Sequence, residues 1–288
     1  MKRYSLVLAV LFPALVAVVP SHAKEIRIGL ITPLSGDVKT FGESVRNSFL
    51  IAVEEANARG GVAGMKITYV IQDDKNDATE AANVANLLVN RERVKAIVGS
   101  VTSKATIPVS DVIQAAKVPT ISPTATNPKV TVADGKRKDY MFRACFIDPF
   151  QGTVGAKFAL NNLKAKTAFI MSDQSNDYVK GLAEAFEKAF VDGGGKVLGK
   201  ENYPGTDTDF SAILSKVADA KPDMIYMPDY YNVVNLAAKQ AKEKGITAPM
   251  GGGDGWDSAE LDVKAVDGGY YSNHYDPADP RPVVQNFL

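Results

Sequence analysis

The sequence predicts an α/β protein of two lobes, each a mostly parallel sheet flanked by helices. Three observations carry that reading. Strand-like and helix-like segments alternate along nearly the whole chain, the alternation pauses near 140–149 and then restarts, and two short apolar strands run straight into clusters of hydroxyl residues. Alternation of this kind demands parallel strands joined by crossover helices on both sheet faces. A chain of 288 residues, 45% hydrophobic, is long enough to bury two cores.

The chain opens with the pattern of an export signal. Lys2 and Arg3 form the positive start, Leu6 to Val19 the apolar run, and Ser21-His22-Ala23 supplies small residues at the cleavage site, so removal of 1–23 after Ala23 is expected. The apolar run is short for a membrane span and contains Pro13. No cysteine sits at the cleavage site, which excludes lipid attachment there.

Ile26 to Ile31 reads as the first strand. The helix that follows, 41–59, has Phe41, Val45, Phe49, Ala52, Val53 and Ala56 on one face and ends at Gly60-Gly61. Then come strand 66–72, helix 77–90, strand 95–98, helix 103–116 and strand 118–121. From about Phe146 the series restarts with helix 149–161, strand 166–171, helix 177–192, strand 196–200, helix 209–219, strand 223–227, helix 231–244 and a short strand near 248. The first crossing between lobes falls at Tyr140 to Pro149 and a second at Gly268 to Asn273. The expected division is therefore 24–145 with 275–288 in the first lobe and 146–274 in the second. Residues 276–282 read as a loop and 283–288 as the start of a helix.

Lys plus Arg and Asp plus Glu each number 33, so no net field favours nucleic acid or an anionic membrane. Cys145 is the only cysteine, so no intrachain disulfide can form. His274 is the only histidine after the signal, and a nucleophile–histidine arrangement would depend on it entirely. No Cys/His cluster exists, and Asp73-Asp74 lacks the alternating oxygen ligands of a calcium loop, so no metal or cofactor is expected. That acidic pair reads as a strand-end turn or a rim charge near a cleft.

In an open α/β sheet, groups just past the carboxyl ends of neighbouring strands line the ligand crevice. Ser103 opens helix 103–116, where unpaired N–H groups suit a carboxylate, although a plain N-cap explains it equally. Thr124 and Thr126 follow the strand ending near Ile121 and could instead make local turn bonds. Tyr178 and Tyr230 each follow a strand of the second half. Asp254 lies in Gly251-Gly252-Gly253-Asp254-Gly255, where glycines let the backbone approach closely while a carboxylate projects. With no phosphate-loop Lys and Ser or Thr following, a cation is the better partner for Asp254. Gly193-Gly194-Gly195 reads as a helix C-cap and turn.

In this order, Ile28 to Gly36, Phe41-Gly42, Glu54 to Val62, Asp73-Asp74, Gly99 to Ser103 and Asp209-Phe210 give a chain that resembles the type I periplasmic binding proteins, specifically the leucine/isoleucine/valine-binding family. The likeness runs from Ile26 to Tyr275. It implies a periplasmic solute-binding protein that captures an amino acid and delivers it to the permease of an ABC importer in the inner membrane; the sequence leaves the oligomeric state open, with a monomer as the default expectation. It also implies ligand contacts at Ser103, Thr124 and Thr126 from the first lobe and at Tyr178, Tyr230 and Asp254 from the second, with Phe41 against the ligand side chain. Two departures stand out: the family's disulfide has no counterpart, and the family has a third crossing and closing helices beyond the position of Leu288. The first lobe is accordingly expected to be incomplete at its carboxyl end, with an apolar sheet face bare and residues 24–288 prone to aggregate. The alternatives are an exported sensory subunit of the same fold, binding of an amide or other small carboxylate, and, least favoured, a hydrolase using Asp254.

Overall fold

The computed structural model describes residues 25–286. The expected export signal, 1–23, lies outside the described residues, as do the last two positions of the expected terminal helix.

The first lobe runs β1 (Glu25–Thr32), α1 (Lys39–Ala58), β2 (Lys66–Asp73), α2 (Ala78–Asn86), β3 (Ala96–Val98), α3 (Ser103–Ala116), β4 (Thr120–Ser122) and β5 (Met141–Arg143). Its sheet has the order β2-β1-β3-β4-β5, parallel at every pairing. The second lobe runs α4 (Asp148–Asn161), β6 (Thr167–Asp173), α5 (Asp177–Asp192), β7 (Lys196–Tyr203), α6 (Ser211–Ala220), β8 (Met224–Tyr226), α7 (Tyr231–Glu243), β9 (Met250–Gly252) and β10 (Tyr270–Tyr271). Its order, β7-β6-β8-β9-β10, repeats the same parallel winding. Each sheet therefore reverses direction once, between β1 and β3 in one lobe and between β6 and β8 in the other. The loops leaving those strands diverge, and the gap between them is where a ligand fits.

Most boundaries fall within two residues of the sequence reading; α2 ends at Asn86 rather than 90, a π-helical turn Leu87–Arg91 carrying on from it, and β7 runs on to Tyr203 rather than 200. Two of the smaller shifts have local causes. Lys117 adopts a left-handed conformation with φ 55 after α3, so β4 begins at Thr120 rather than Val118. Asp209 precedes α6 instead of starting it, its carboxylate accepting the N–H of Ser211 at 2.8 Å. The short strands β5 and β10 have no counterpart in the sequence reading: each has only two or three residues, too few to show a period, and only pairing with β4 and β9 makes them strands.

One face of the first sheet packs on α2, the π-helical turn Leu87–Arg91 after it, and α3 through Val84, Leu88, Ile97, Val109 and Ile113. The other meets α1, where Phe49 and Val53 cover Leu30 and Ile67. That cover stops short of β4 and β5. The registers Val98↔Ile121 and Ile121↔Phe142 set three apolar side chains in a row, and Ile121 and Phe142 are 40% and 52% exposed. In the second lobe, Ile170, Leu182, Phe186 and Tyr226 fill one side of the sheet and Phe169, Phe210, Leu214 and Trp256 the other.

The lobes are closed on one another. Val38, ahead of α1, is fully buried in the core cluster of the second lobe. Thr40 donates to the Tyr231 hydroxyl at 2.9 Å, and that hydroxyl donates to the Asp37 carbonyl at 3.1 Å. On the other flank, Asn127 donates to the Asp177 carbonyl at 2.7 Å and Lys129 pairs with the Asp177 carboxylate at 2.6 Å.

Candidate functional site

Between the facing strand ends lies a cavity of about 380 Å³, and Phe41, Ser103, Thr124, Thr126, Tyr178, Tyr230 and Asp254 all line it. All seven candidates read from the sequence thus share one surface.

The first-lobe side is built by loop bonds that hold hydroxyls and N–H groups at the cavity wall. Thr102, not Ser103, is the N-cap of α3; it accepts the Ala105 N–H, while Ser103 occupies the first helical position. The first intrahelical bond runs from Thr106 N–H to the Thr102 carbonyl, so the N–H groups of Ser103 and Lys104 belong to the unpaired first turn. The Ser103 hydroxyl accepts the Asn127 N–H at 3.1 Å and keeps its own proton for another acceptor. Thr124 differs: its hydroxyl donates to the Val101 carbonyl at 2.7 Å, leaving oxygen lone pairs. Asp74 is not a rim charge. It is fully buried and hydrogen-bonds to Ser100 and to the Asn76 N–H, bracing the loop that leads into α3. Phe41 reaches the cavity because α1 lies tight against the preceding loop. A Cβ on Gly42 would stand 1.6 Å from the Pro33 carbonyl oxygen, so only glycine permits the approach.

The second-lobe side is aromatic and acidic. Tyr178 and Tyr230 stack at 5.1 Å between centroids, and Phe41 meets Tyr230 edge-on at 6.1 Å. Asp254 follows β9 in a single 3-10 turn, Asp254–Trp256. A Cβ at Gly253 would come within 2.7 Å of the Tyr178 hydroxyl and 2.9 Å of the Gln151 Oε1, so glycine lets this turn nest among them. The Asp254 Oδ1 accepts from the Tyr178 hydroxyl at 2.9 Å and from Gln151 Nε2 at 3.0 Å. The other oxygen, Oδ2, faces His274 Nδ1 at 3.9 Å, beyond hydrogen-bond range. Burial raises the pKa of Asp254, opposed by His274 and by the two donors.

Sequence reasoning missed Gln151, Asn273 and His274. His274 stacks on Phe146 at 4.1 Å, joining the two crossings between lobes. In sequence it belongs to a connecting segment, and only the fold turns it toward the cavity. Asp148, in the first turn of α4, is fully buried, and burial pushes it up to about 7 against the opposing pull of Thr126, Arg143 and Asn127. Among the described residues no group of three His, Cys, Asp or Glu side chains is placed to hold a metal ion, and no helix is long and apolar enough to cross a membrane. The cavity is bipolar: donors at one end, a carboxylate at the other, aromatic rings between.

Comparison with known proteins agrees with this geometry. The family model described as periplasmic binding protein matches residues 25–288. The chain is 35% identical over 268 residues to the Leu/Ile/Val-binding protein BraC3 of Rhizobium johnstonii, covering 91% of this chain and 71% of that one. It is also 35% identical to the leucine-, isoleucine-, valine-, threonine- and alanine-binding protein of Pseudomonas aeruginosa, covering 85% of this chain and 64% of that one, just under two thirds of its length. Among solved structures, the leucine-binding protein LivK of Thermotoga maritima superposes with a TM-score of 0.86 at 36% identity, covering 91% of this chain and 74% of that one. LivJ of Streptococcus pneumoniae in complex with isoleucine gives 0.84 at 34% identity, covering 92% and 76%. This chain belongs to the periplasmic binding proteins of type I, in the Leu/Ile/Val-binding family.

Proposed function

We propose that this protein captures a branched-chain amino acid in the periplasm, closes its lobes around it, and presents the closed form to an ABC importer. The supporting observation is the bipolar cavity, with a hydroxyl-rich helix N-terminus facing a buried carboxylate across aromatic walls. A zwitterion matches both ends. The ligand carboxylate lies toward the Ser103 hydroxyl, the first-turn N–H groups of α3 and Thr126; the ammonium lies toward Asp254 Oδ2 and the lone pairs of Thr124. Phe41, Tyr178 and Tyr230 surround the aliphatic side chain and lend their ring faces to the ammonium. Residues 24–145 with 275–288 and residues 146–274 act as the two moving bodies, hinged near Phe146 and Ser272 to Tyr275. Ligand energy drives closure only through contacts that exist in the closed state, and Tyr178, Tyr230 and Asp254 supply these. The protein acts as a monomer, is exported by cleavage after Ala23, and works as a carrier rather than an enzyme.

Calorimetric titration with leucine, isoleucine and valine tests this, with 4-methylpentanoate, which lacks the ammonium, and isopentylamine, which lacks the carboxylate, as controls. Saturable binding of at least one amino acid is expected, with a loss of about a thousandfold or more for each control. Absence of binding by all three amino acids, or equal binding of a control, contradicts the proposal.

A further inference from the structure

Gln151 makes three hydrogen bonds that the ligand contacts proposed above do not use. It is 1% exposed, one turn after Asp148 on α4, and α4 begins directly after the first crossing between lobes. Its Oε1 accepts the backbone N–H of Asp254 at 2.7 Å and the Ser272 hydroxyl at 2.6 Å. Its Nε2 donates to Asp254 Oδ1 at 3.0 Å. The amide orientation is fixed chemically, because a backbone N–H can only donate and so must meet the oxygen.

The amide thus grips Asp254 at two points, main chain and carboxylate, as a fork. With Tyr178 it occupies Oδ1 and leaves Oδ2 turned to the cavity. Ser272, the third partner, follows β10 in the second crossing. One buried side chain therefore touches the helix after the first crossing, the acidic turn of the site, and the second crossing.

We infer that Gln151 is a positioning residue: it sets the Asp254 carboxylate so that Oδ2 receives the ligand ammonium, and it ties that carboxylate to the second interlobe crossing. The inference rests on the reading that Asp254 meets an ammonium.

Gln151→Glu keeps the shape and removes only the Nε2 donor, setting a second carboxylate about 3 Å from Asp254. Other titrating groups around the fork are Asp148 on the same helix, Tyr178 on α5, Tyr226 on β8 and Tyr230 just after it, Cys145 in the first crossing and His274 in the second. All are common to both proteins, so the ratio of leucine dissociation constants, variant to wild type, isolates position 151. That ratio is expected to be about 100 near pH 8 and to shrink below about tenfold near pH 5.5, where the introduced carboxyl group is protonated and donates again. A ratio independent of pH, or near one throughout, overturns the inference.

A second arm needs no ligand. Trp256 is the only tryptophan in the chain, fully buried in the same turn as Asp254, and its indole donates to the Met227 carbonyl at 3.1 Å. Its emission in ligand-free Gln151→Glu is expected to show a pH transition added to, or displaced from, those that Asp254 and Asp148 give in wild type; identical pH profiles for the two proteins overturn the positioning role. If wild type binds no amino acid, the proposed function falls while this arm still decides the role of Gln151. Ser272→Ala, which leaves both bonds to Asp254 intact, is expected to weaken leucine binding by about threefold to tenfold. Unchanged affinity in that variant overturns the tie to the crossing.

Discussion

Asp254→Asn preserves the volume of the side chain and leaves an oxygen for Gln151 and Tyr178 to bond, so it removes charge and little else. An ammonium about 3 Å from the carboxylate, at an effective dielectric constant of about 20, is attracted by roughly 5 kcal/mol. Part of that offsets the cost of holding a carboxylate whose side chain is only 11% exposed. The net loss falls at about 3 kcal/mol, inside the range of about 2–5 for removing one partner of a buried charge pair. That corresponds to roughly 150-fold weaker binding. Calorimetry with leucine near neutral pH reads it directly. A pH series adds a second signature. Burial holds the Asp254 pKa above its ordinary 3.8, and an ammonium requires the ionised form. Wild-type affinity should therefore rise as pH climbs through that raised pKa, with release of a proton on binding, and the Asn variant should lose this component. A dissociation constant within threefold of wild type refutes the reasoning that puts Asp254 against the ligand.

Asp148 is held at about 7 in the folded protein against an ordinary 3.8. The folded state keeps a proton that the unfolded chain has released between those values, so stability falls as pH rises from about 4 to 7, by at most roughly 4 kcal/mol. Asp229, raised to about 6 by burial, acts in the same direction. Asp148→Asn should therefore flatten the decline of Tm between pH 5 and pH 8 without abolishing it, and parallel curves for variant and wild type contradict the assignment. Tyr231→Phe removes the hydroxyl bonded to Thr40 and the Asp37 carbonyl, about 1 kcal/mol for each interlobe bond. It should weaken leucine binding about thirtyfold and enlarge the ligand-free radius of gyration; no change in either quantity argues against these bonds as closure contacts. The row Val98, Ile121 and Phe142 should bind a hydrophobic dye and promote association. Phe142→Lys should lower both, and equal dye fluorescence in the variant excludes that face.

Much of the fold is legible because parallel α/β proteins write their strands as apolar runs and their helices as faces of period 3.6. Phe41, Val45 and Phe49 announce α1, and Ile170 with Met171 announces β6. The candidate residues are legible for a topological reason: each follows a strand, and strand ends converge at the reversal of the winding order. Ser103, Thr124, Tyr178 and Tyr230 follow β3, β4, β6 and β8. Gln151 is not legible, since its role depends on Asp254 lying 103 positions away, and nothing local distinguishes it from any glutamine in a helix. The place of His274 at the cavity is not legible for the same reason, its stacking on Phe146 being created by two crossings that only the folded chain brings together. Asp74 reads as part of a strand-end turn or as a rim charge because its neighbours Asp73, Lys75 and Asp77 are polar. Its burial comes from the hydroxyl of Ser100, a tertiary partner.

Everything proposed for the cavity depends on the direction in which an amino acid lies in it. A crystal structure of the protein with leucine measures that directly. The ammonium is expected within about 3 Å of Asp254 Oδ2 and the carboxylate at the Ser103 hydroxyl and the first turn of α3. Leucine in the reverse orientation, or bound outside the space between Ser103 and Asp254, contradicts it.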